Sequence, residues 1–203
     1  MDLGLDGRVV IVTGGASNLG RAITLGFAHE GARVVIADVD GTQAKKVEAE
    51  APSGTITSRH TDVTDRDSVQ ATVQYVESSM GRIDVLVNCA GWTIDRLFME
   101  KPRDEWEKEI AIDMWGFINS VRAVLDGMVK RKYGRIVSIG SDAGRRTGQR
   151  RHESDLYLVG RVRRSTQREQ QCDCQPGCHG SSRVLIEFAL SVAQPLRLFT
   201  SRP

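Results

Sequence analysis

Residues 9–21 read VVIVTGGASNLGR, and this stretch decides the fold class of the chain. An apolar run rich in β-branched residues ends in a glycine-rich turn. The turn opens into a segment with Leu19, Ile23 and Phe27 on one helical face, and Gly31 follows as a stop signal. A strand, a tight turn and a helix at this spacing are typical of a nucleotide-binding unit, in which the N–H groups at the helix start face a pyrophosphate.

Further runs of strand length alternate with helical patterns at 65–80 and 104–128. Apolar strands that alternate with helices predict an α/β fold, a doubly wound parallel sheet of the Rossmann-like type with helices on both faces. Residues 184–190 fit either a short helix or a strand, and the C-terminal strands are expected to be incomplete or irregular. The predicted strands are 8–13, 33–38, 55–60, 83–88 and 135–140.

The carboxyl ends of the predicted strands are the candidate ligand site. In an open parallel sheet, ligands bind in the crevice outside these ends. This rule selects the residues that close or directly follow each strand as candidates. They are 14–19, Asp38, Asp62 with Val63, 88–91 and 138–141.

Asp38 closes the second predicted strand, 18 residues after Gly20. A carboxylate here accepts hydrogen bonds from both hydroxyls of an adenosine ribose, whereas a 2′-phosphate would meet a like charge. That repulsion is on the order of 4 kcal/mol at contact near a protein surface before salt screening, and a third of it is about tenfold in affinity. Ser17 and Asn18 offer no cation, so the sequence predicts NAD rather than NADP. The alternative interpretation is that Asp38 caps a helix or a turn.

The chain has 203 residues, with 28 lysines and arginines against 26 acidic residues and a net charge of +2. This length is most simply one domain, and the small net charge argues against nucleic acid or an anionic membrane as the main partner. No apolar run reaches the roughly 18–20 residues of a membrane span, and the N-terminus lacks the pattern of a signal peptide. The expected location is therefore cytoplasmic.

The composition changes near residue 145. All six lysines lie at or before Lys132, whereas eight arginines fall between Arg145 and Arg168. The sequence therefore predicts an NAD-binding Rossmann domain over 1–144 and an atypical arginine- and cysteine-rich tail over 145–203, for which a solvated, disordered stretch is favoured over a nucleic-acid surface.

Three tail cysteines and a histidine are chemically able to complete a tetrahedral zinc site. Their spacing fits no standard zinc finger, and the two adjacent residues would chelate awkwardly. An incidental cluster is therefore the preferred interpretation, and no metal is predicted. The four residues are Cys172, Cys174, Cys178 and His179.

Several motifs stand in one order over roughly the first 140 residues. Together they resemble the short-chain dehydrogenase/reductase family in order and in spacing. The resemblance implies oxidation of a secondary alcohol by NAD or the reverse carbonyl reduction, and residues 84–144 are most similar to bacterial members that act on hydroxyacyl thioesters. The motifs are Thr13-Gly14-x-x-x-x-Leu19-Gly20, Asp38, Asp62-Val63, Asn88-Cys89-Ala90-Gly91 and GRIVSIGS at 134–141.

The resemblance implies a role for each matching cofactor residue. Asn18 stands where the family has a middle glycine, and asparagine tolerates a positive φ better than most residues, so the turn is expected to survive. The implied positions are Gly14, Ser17, Asn18 and Leu19 for the pyrophosphate, Asp38 for the ribose, Asp62 and Val63 for the adenine, and Asn88, Ala90 and Gly91 for the nicotinamide side.

Four catalytic positions follow from the same resemblance. Ser141 matches the serine that bonds the substrate oxygen. Tyr157 is the later tyrosine available as general base, with Arg161 four positions on, where the family has a lysine; chance placement of Tyr157 in this stretch is the preferred interpretation. Asp113 stands where the family has a relay asparagine, and an ionised aspartate accepts hydrogen bonds without donating them.

These departures support an alternative function, a catalytically impaired dinucleotide-binding remnant of a frame-shifted or truncated reading frame. Residues 168–178 permit codons that, read one nucleotide over, encode Val-Asn-Ser-Asn-Ala-Ile-Ala-Asn-Pro-Gly-Ala, which resembles the family's sixth strand and Pro-Gly turn. The implied partners are a small-molecule alcohol or ketone and a second copy of the chain. The homo-oligomer stays open, because the family's fifth helix has no matching pattern here.

Overall fold

A computed structural model describes residues 3–94, 96 and 98–140 of the chain, together with the backbone of 185–189. In this part of the chain, six parallel strands form one sheet in the order 3-2-1-4-5-6. The order reverses between the first and fourth strands, which is the switch point of a doubly wound fold. The strands are β1 (Val9–Thr13), β2 (Arg33–Asp38), β3 (Ile56–His60), β4 (Val85–Asn88), β5 (Arg135–Ile139) and β6 (Leu185–Ala189).

Helices connect the first five strands and cover both faces of the sheet. A π-helical segment, Ile110–Trp115, joins the last two helices, and a short 3-10 turn, Phe98–Glu100, precedes them. The helices are α1 (Asn18–His29), α2 (Gly41–Glu50), α3 (Arg66–Met80), α4 (Arg103–Glu109) and α5 (Gly116–Arg131).

Alternate residues of the strands supply two hydrophobic cores. On one face, Val10 and Val12 of β1 belong to a cluster with residues of α1 and α2. On the other face, Val9 and Ile11 belong to a cluster with residues of α3 and α5. Because the central strands are buried on both faces, they read as continuous apolar runs, and polar groups that bind a ligand collect at the strand ends.

The predicted doubly wound α/β fold is confirmed. Each of the five predicted strands lies within two residues of an observed one, and the helix predicted over 65–80 is α3. Residues 184–190, which fit a helix or a strand, contain β6, whose backbone pairs in parallel with β5.

The helical pattern predicted over 104–128 changes from α-helical to π-helical geometry at 110–115. The amide of Gly116 bonds to the carbonyl of Ala111, five residues back, so the helix widens by one residue there. Gly116 packs closely against Val63: a β-carbon on Gly116 would lie 2.7 Å from Val63 Cγ2. The wide turn thus places the first residue of α5 in contact with the loop after β3. The spacing of apolar residues alone does not predict this contact.

The described residues also bear on membrane insertion and on metal binding. Among their helices, none has the length and apolar character needed to cross a membrane. They hold no group of three or more histidine, cysteine or acidic side chains arranged for a metal ion. The four tail residues considered for zinc lie outside the described residues, as does most of 145–203, so the division into two parts stays a prediction.

Candidate functional site at the carboxyl edge of the sheet

The turn between β1 and α1 is built by two close backbone approaches. Gly14 has a φ of +64°, and a β-carbon there would lie 2.7 Å from the Cα atom of Ala90, just after β4. A β-carbon on Gly20, in the first turn of α1, would overlap with the Gly14 carbonyl oxygen. The two glycines therefore let three backbone segments approach closely: the turn after β1, the first turn of α1 and the end of β4. Together these segments form a cradle bordered by backbone groups.

The start of α1 is open to a ligand. Ser17 is the N-cap residue, is exposed, and makes no capping side-chain hydrogen bond with any described residue. The first N–H groups of a helix have no acceptor within the helix, and the helix dipole favours an anion there. Asn18 adopts a φ of +46°, so asparagine accommodates the left-handed turn as the sequence predicts.

Asp38 is joined to this turn through hydrogen bonds to its carboxylate. The amide of Ala16 donates to Oδ2 over 3.0 Å, and the amide of Asp40 donates to Oδ1 over 3.0 Å. Asp40 is the residue that caps α2, through the Gln43 amide. Asp38 is therefore not a helix cap; it stabilises the turn after β2 and holds the ends of β1 and β2 together.

The arginine that follows the glycine-rich turn already has an ionic partner. Arg21, in the first turn of α1, forms a bidentate ion pair with Glu50 at the end of α2. The hydrogen bond and charge of Glu50 raise the pKa of Arg21. This pair ties the guanidinium to α2, so Arg21 is not free to bind a phosphate without losing its partner.

The loop after β3 is ordered by local hydrogen bonds. Oδ1 of Asp62 accepts from both the amide and the hydroxyl of Thr64, at 2.9 and 2.7 Å. Val63 is 7% exposed, and its carbonyl accepts from the side chain of Asn119 in α5 over 3.0 Å. These contacts fix the two residues that the resemblance assigns to the adenine.

Thr13 clamps the loop after β4, a role that sequence analysis missed. Its Oγ1 atom accepts from the amides of Cys89 and Ala90, at 3.2 and 3.3 Å. Thr13 is 4% exposed, so this hydroxyl replaces water for two amides at the end of β4. The Thr-Gly pair that opens the turn motif is the sequence signal, but its partner lies 76 residues away.

A small polar cavity of about 50 Å³ lies between the ends of β4 and β5 and the π-helical segment. Asn88 Nδ2 donates to Ser138 Oγ over 3.3 Å, while Asn88 Oδ1 is buried without a partner among the described residues. This volume is large enough for water, which would satisfy the free oxygen. The lining residues are Thr13, Asn88, Ala90, Asp113, Gly116, Phe117, Ser138 and Ile139.

Asp113 projects from the π-helical segment to this cavity and holds the adjoining loop. Its Oδ1 atom accepts from the Trp92 amide over 3.0 Å and lies 3.4 Å from the position of a β-carbon on Gly91. Asp113 keeps contact with solvent, but partial burial raises its pKa, and the charge of Glu109 raises it further. The Trp92 N–H and Lys101 oppose this shift.

Cys89 shows no sign of a reactive thiol. The side chain is half-buried beside the core, and burial raises the pKa of the Cys89 thiol. A raised pKa keeps the sulfur protonated at neutral pH, and the thiolate is the nucleophilic form. Cys89 therefore acts as a small packing residue in the loop after β4.

The structure brings the ten proposed cofactor residues and Asp113 to one edge of the sheet. Ser141, Tyr157 and Arg161 lie outside the described residues, so their roles stay predictions. The cradle, the open helix start and the Asp38 carboxylate suit a pyrophosphate joined to a ribose, because each offers hydrogen bonds of the required polarity.

The comparisons with known proteins identify the family. A sequence model described as short chain dehydrogenase matches residues 8–152. The match covers more than half of the chain, and the chain therefore belongs to the short-chain dehydrogenase/reductase family.

Relatives match the same large part of the chain. The 3-oxoacyl-(acyl-carrier-protein) reductase FabG of Thermotoga maritima is 38% identical over 142 residues, 69% of this chain and 58% of that protein. Meso-2,3-butanediol dehydrogenase of Serratia marcescens is 34% identical, over 68% of this chain and 55% of that protein. The crystal structure of gox2181 has a TM-score of 0.67 at 38% identity, covering 71% of this chain and 58% of that one. The chain thus spans a little over half the length of these relatives.

Proposed function

We propose that this chain is an oxidoreductase that binds NAD at the carboxyl edge of its sheet and exchanges a hydride with a secondary alcohol or the matching ketone. The observation that carries the proposal is the bond from the Ala16 amide to Asp38, because it joins the open helix start to the ribose-binding carboxylate. One dinucleotide would contact both groups at once. The bound nicotinamide would supply the hydride chemistry, and the protein supplies binding, orientation and proton handling.

The preference for NAD over NADP rests on the charges around Asp38. Its carboxylate would repel a 2′-phosphate, and the nearby Arg21 is held by Glu50. Val39, the next residue, is 59% exposed and offers an apolar surface rather than a cation. Neither of these two side chains offers a free cation, so binding a 2′-phosphate beside Asp38 would bring two like charges together.

The proposed reaction places the substrate oxygen beside Ser141, which would stabilise charge that develops there. Tyr157 would take the alcohol proton, and Arg161 would supply the positive charge that lowers a tyrosine pKa from about 10 toward 7. Asp113, when ionised, would accept a hydrogen bond from cavity water without donating one. The roles of Ser141 and Tyr157 follow the family pattern, whereas Arg161 and Asp113 stand where the family has a lysine and an asparagine.

The substrate class is proposed from the relatives' names. One relative is named a reductase of 3-oxoacyl-(acyl-carrier-protein), and another is named a dehydrogenase of meso-2,3-butanediol. Both names describe exchange between a carbonyl and a secondary alcohol. We propose that the substrate is an oxoacyl or hydroxyacyl thioester, since residues 84–144 are most similar to family members that act on hydroxyacyl thioesters.

A second candidate is a dinucleotide-binding protein without turnover. The observation that favours it is the residue four positions after Tyr157, which is Arg161 rather than lysine. An arginine at this place lacks the compact ammonium that would contact both the tyrosine and the nicotinamide ribose. In this candidate the cofactor site functions while the proton-transfer site does not.

The cofactor proposal is tested by titrating the full chain and its Asp38→Asn variant with NADH and NADPH. We expect NADH affinity to fall by about tenfold in the variant and the penalty on NADPH to shrink, because the repelling charge is gone. Asp126→Asn is the matched control, since Asp126 is an exposed carboxylate of α5 that pairs with Arg122. Equal affinities for NADH and NADPH in the unmodified chain would contradict the proposal.

The two candidates are separated by turnover at saturating NAD with a panel of secondary alcohols. The enzyme proposal predicts an increase in NADH absorbance that is lost in Tyr157→Phe. NADH binding without turnover, unchanged by Tyr157→Phe, would support the second candidate instead.

A further inference from the structure

Residues 92–94, here called the strap, directly follow Gly91, which the family resemblance assigns to the nicotinamide side of the cofactor. The strap lies against α4 and the π-helical segment. The Trp92 amide donates to Oδ1 of Asp113 over 3.0 Å, and the Lys108 ammonium lies 4.0 Å from the centroid of the Trp92 ring. The first residue of the strap is therefore held by two side chains of one helical stretch.

A partly buried ion pair holds the next residue of the strap. The Thr93 hydroxyl donates to Oε1 of Glu109, the last residue of α4, over 2.6 Å. The ammonium of Lys101, just before α4, donates to the same oxygen. The Lys101 side chain is 10% exposed and that of Glu109 22%, and lysine and glutamate side chains are rarely this buried unless they are paired. One carboxylate oxygen thus joins the strap, α4 and the segment before α4.

Glu109 is held in its charged form by these contacts. Burial by itself would raise the pKa of Glu109, but hydrogen bonds from Lys101 and Thr93 and the positive charge of Lys101 lower it below its ordinary value. Removing one partner of such a pair leaves an uncompensated charge in a partly buried place, which favours any movement that admits water to that charge. Thr93 and Ile94 are exposed, so the strap is the element free to move away.

Displacement of the strap would reach the proposed cofactor site through Gly91. Oδ1 of Asp113 lies 3.4 Å from the position of a β-carbon on Gly91, and Asp113 lines the polar cavity at the ends of β4 and β5. The hydroxyl of Thr13 fixes the amide of Ala90 on one side of Gly91. The strap fixes the chain on the other side, so the place of the Gly91 peptide depends on where the strap lies.

We infer that Lys101 and Glu109 are positioning residues for the nicotinamide end of the cofactor site: their ion pair fixes the strap, and the strap holds Gly91 in place. This inference rests on the proposed NAD function, since it assigns two residues that act on the same site. In the part of the chain that the structure describes, neither side chain forms a hydrogen bond or ion pair with the turn after β1 or with the loops after β2 and β3. The pair therefore acts on the nicotinamide end of a bound ligand and leaves the adenosine end unchanged.

The test compares NADH with ADP-ribose, which lacks the nicotinamide. Both are titrated by calorimetry into the full chain, into Glu109→Gln and into the double variant Lys101→Met with Glu109→Leu. Glutamine keeps an acceptor for Thr93 but leaves the Lys101 charge without its partner. The double variant removes both charges, and replacing an ion pair by apolar side chains of similar volume usually preserves the fold. The matched controls are Glu107→Gln and the double variant Arg103→Met with Glu107→Leu, which alter an exposed ion pair of the same helix.

We expect NADH affinity to fall by about threefold to tenfold in Glu109→Gln and in the Lys101 and Glu109 double variant, the loss that accompanies one displaced hydrogen-bonded contact. ADP-ribose affinity should be the same in these variants, in the controls and in the unmodified chain. Amide hydrogen exchange over 91–94 should be faster in the two variants, because the displaced strap draws the Trp92 N–H away from Asp113.

The outcomes separate the inference from the proposed function. Unchanged NADH affinity in both variants, or NADH and ADP-ribose affinities that fall together, would overturn the inference alone. A loss of NADH affinity in the controls equal to that in the variants would assign the effect to surface charge and would also overturn the inference alone. Absence of both NADH and ADP-ribose binding to the unmodified chain would overturn the proposed function and the inference together.

Discussion

At the scale of single residues, Asp113 is the position where this chain differs most informatively from its family. The family resemblance implies an asparagine there, whereas Asp113 carries a carboxyl group that accepts from the Trp92 amide and borders the polar cavity. Partial burial and the charge of Glu109 make its ionisation less favourable than in water. The same side chain therefore anchors a loop and makes that anchor sensitive to pH.

We predict that Asp113→Asn gains stability relative to the unmodified chain as the pH rises. The folded pKa of Asp113 is raised above the ordinary value of 3.8, so the folded state binds this proton more tightly than the unfolded state. Its contribution to the free energy of unfolding is therefore highest below the ordinary value and falls as the pH rises through the raised pKa. Asparagine keeps an acceptor for Trp92 and does not ionise.

Thermal unfolding of both proteins at about pH 4 and about pH 7.5 measures this effect. The difference in Tm between variant and unmodified chain should be more positive at the higher pH. Asp126→Asn controls for the loss of an exposed carboxylate. A Tm difference that is the same at both pH values would contradict the assignment.

At the scale of elements, the contact between α1 and the turn before it determines the shape of the site. The side chains of α1 that face the sheet are small: Thr24 is fully buried, Ala28 is 4% exposed, and Gly20 touches the Gly14 peptide. Small residues let the helix approach the strands closely. The first N–H groups of α1 are thereby brought to the edge where Asp38 ends β2.

We predict that Gly20→Ala destabilises the domain by about 2 kcal/mol and abolishes NADH binding, because its β-carbon overlaps with backbone that cannot move away. Gly26→Ala is a control in the same helix, where a β-carbon would meet nothing within 4 Å. It should stabilise α1 by about 0.5–1 kcal/mol and leave binding unchanged. Denaturant unfolding and NADH titration of both variants measure these effects. Equal free energies of unfolding and equal NADH affinities in the two variants would contradict the prediction.

The elements also show what the sequence could and could not predict. Continuous β-branched runs predict the buried parallel strands well, and the glycine motif locates the carboxyl edge of the sheet where the candidate site lies. Both succeed because they depend on residues that are neighbours in the sequence. The helical face with Leu19, Ile23 and Phe27 proved to flank the buried stripe of α1 rather than form it, since close packing on a sheet selects small residues. The clamp by Thr13 depends on a partner distant in sequence, and no local pattern encodes it.

At the scale of the whole molecule, one surface carries unusually exposed apolar side chains. It runs along the π-helical segment and the start of α5. The resemblance implies that family members assemble through their fourth and fifth helices, of which the fourth is the one that carries Asp113 here, and large exposed apolar patches commonly mark such interfaces. We propose that a second copy of the chain covers it. The exposed residues are Ile110, Met114, Trp115 and Ile118.

Sedimentation velocity tests this assembly. The unmodified chain should sediment as an oligomer, and Ile118→Lys should shift it toward the monomer, because a charge would be buried in the interface. Leu3→Lys is the control, since Leu3 is a 54% exposed apolar side chain that is not one of the four residues of this surface. A monomeric unmodified chain, or an equal shift in both variants, would contradict the proposal.

The central claim is that the carboxyl edge of the sheet binds the dinucleotide. Hydrogen–deuterium exchange of the full chain, with and without saturating NADH, tests it most directly. The account predicts slower exchange at 13–20, 38–40 and 88–91, and unchanged exchange around Tyr133, which precedes β5 at the opposite edge. Protection around Tyr133 with none at 13–20, or no protection at all, would contradict it.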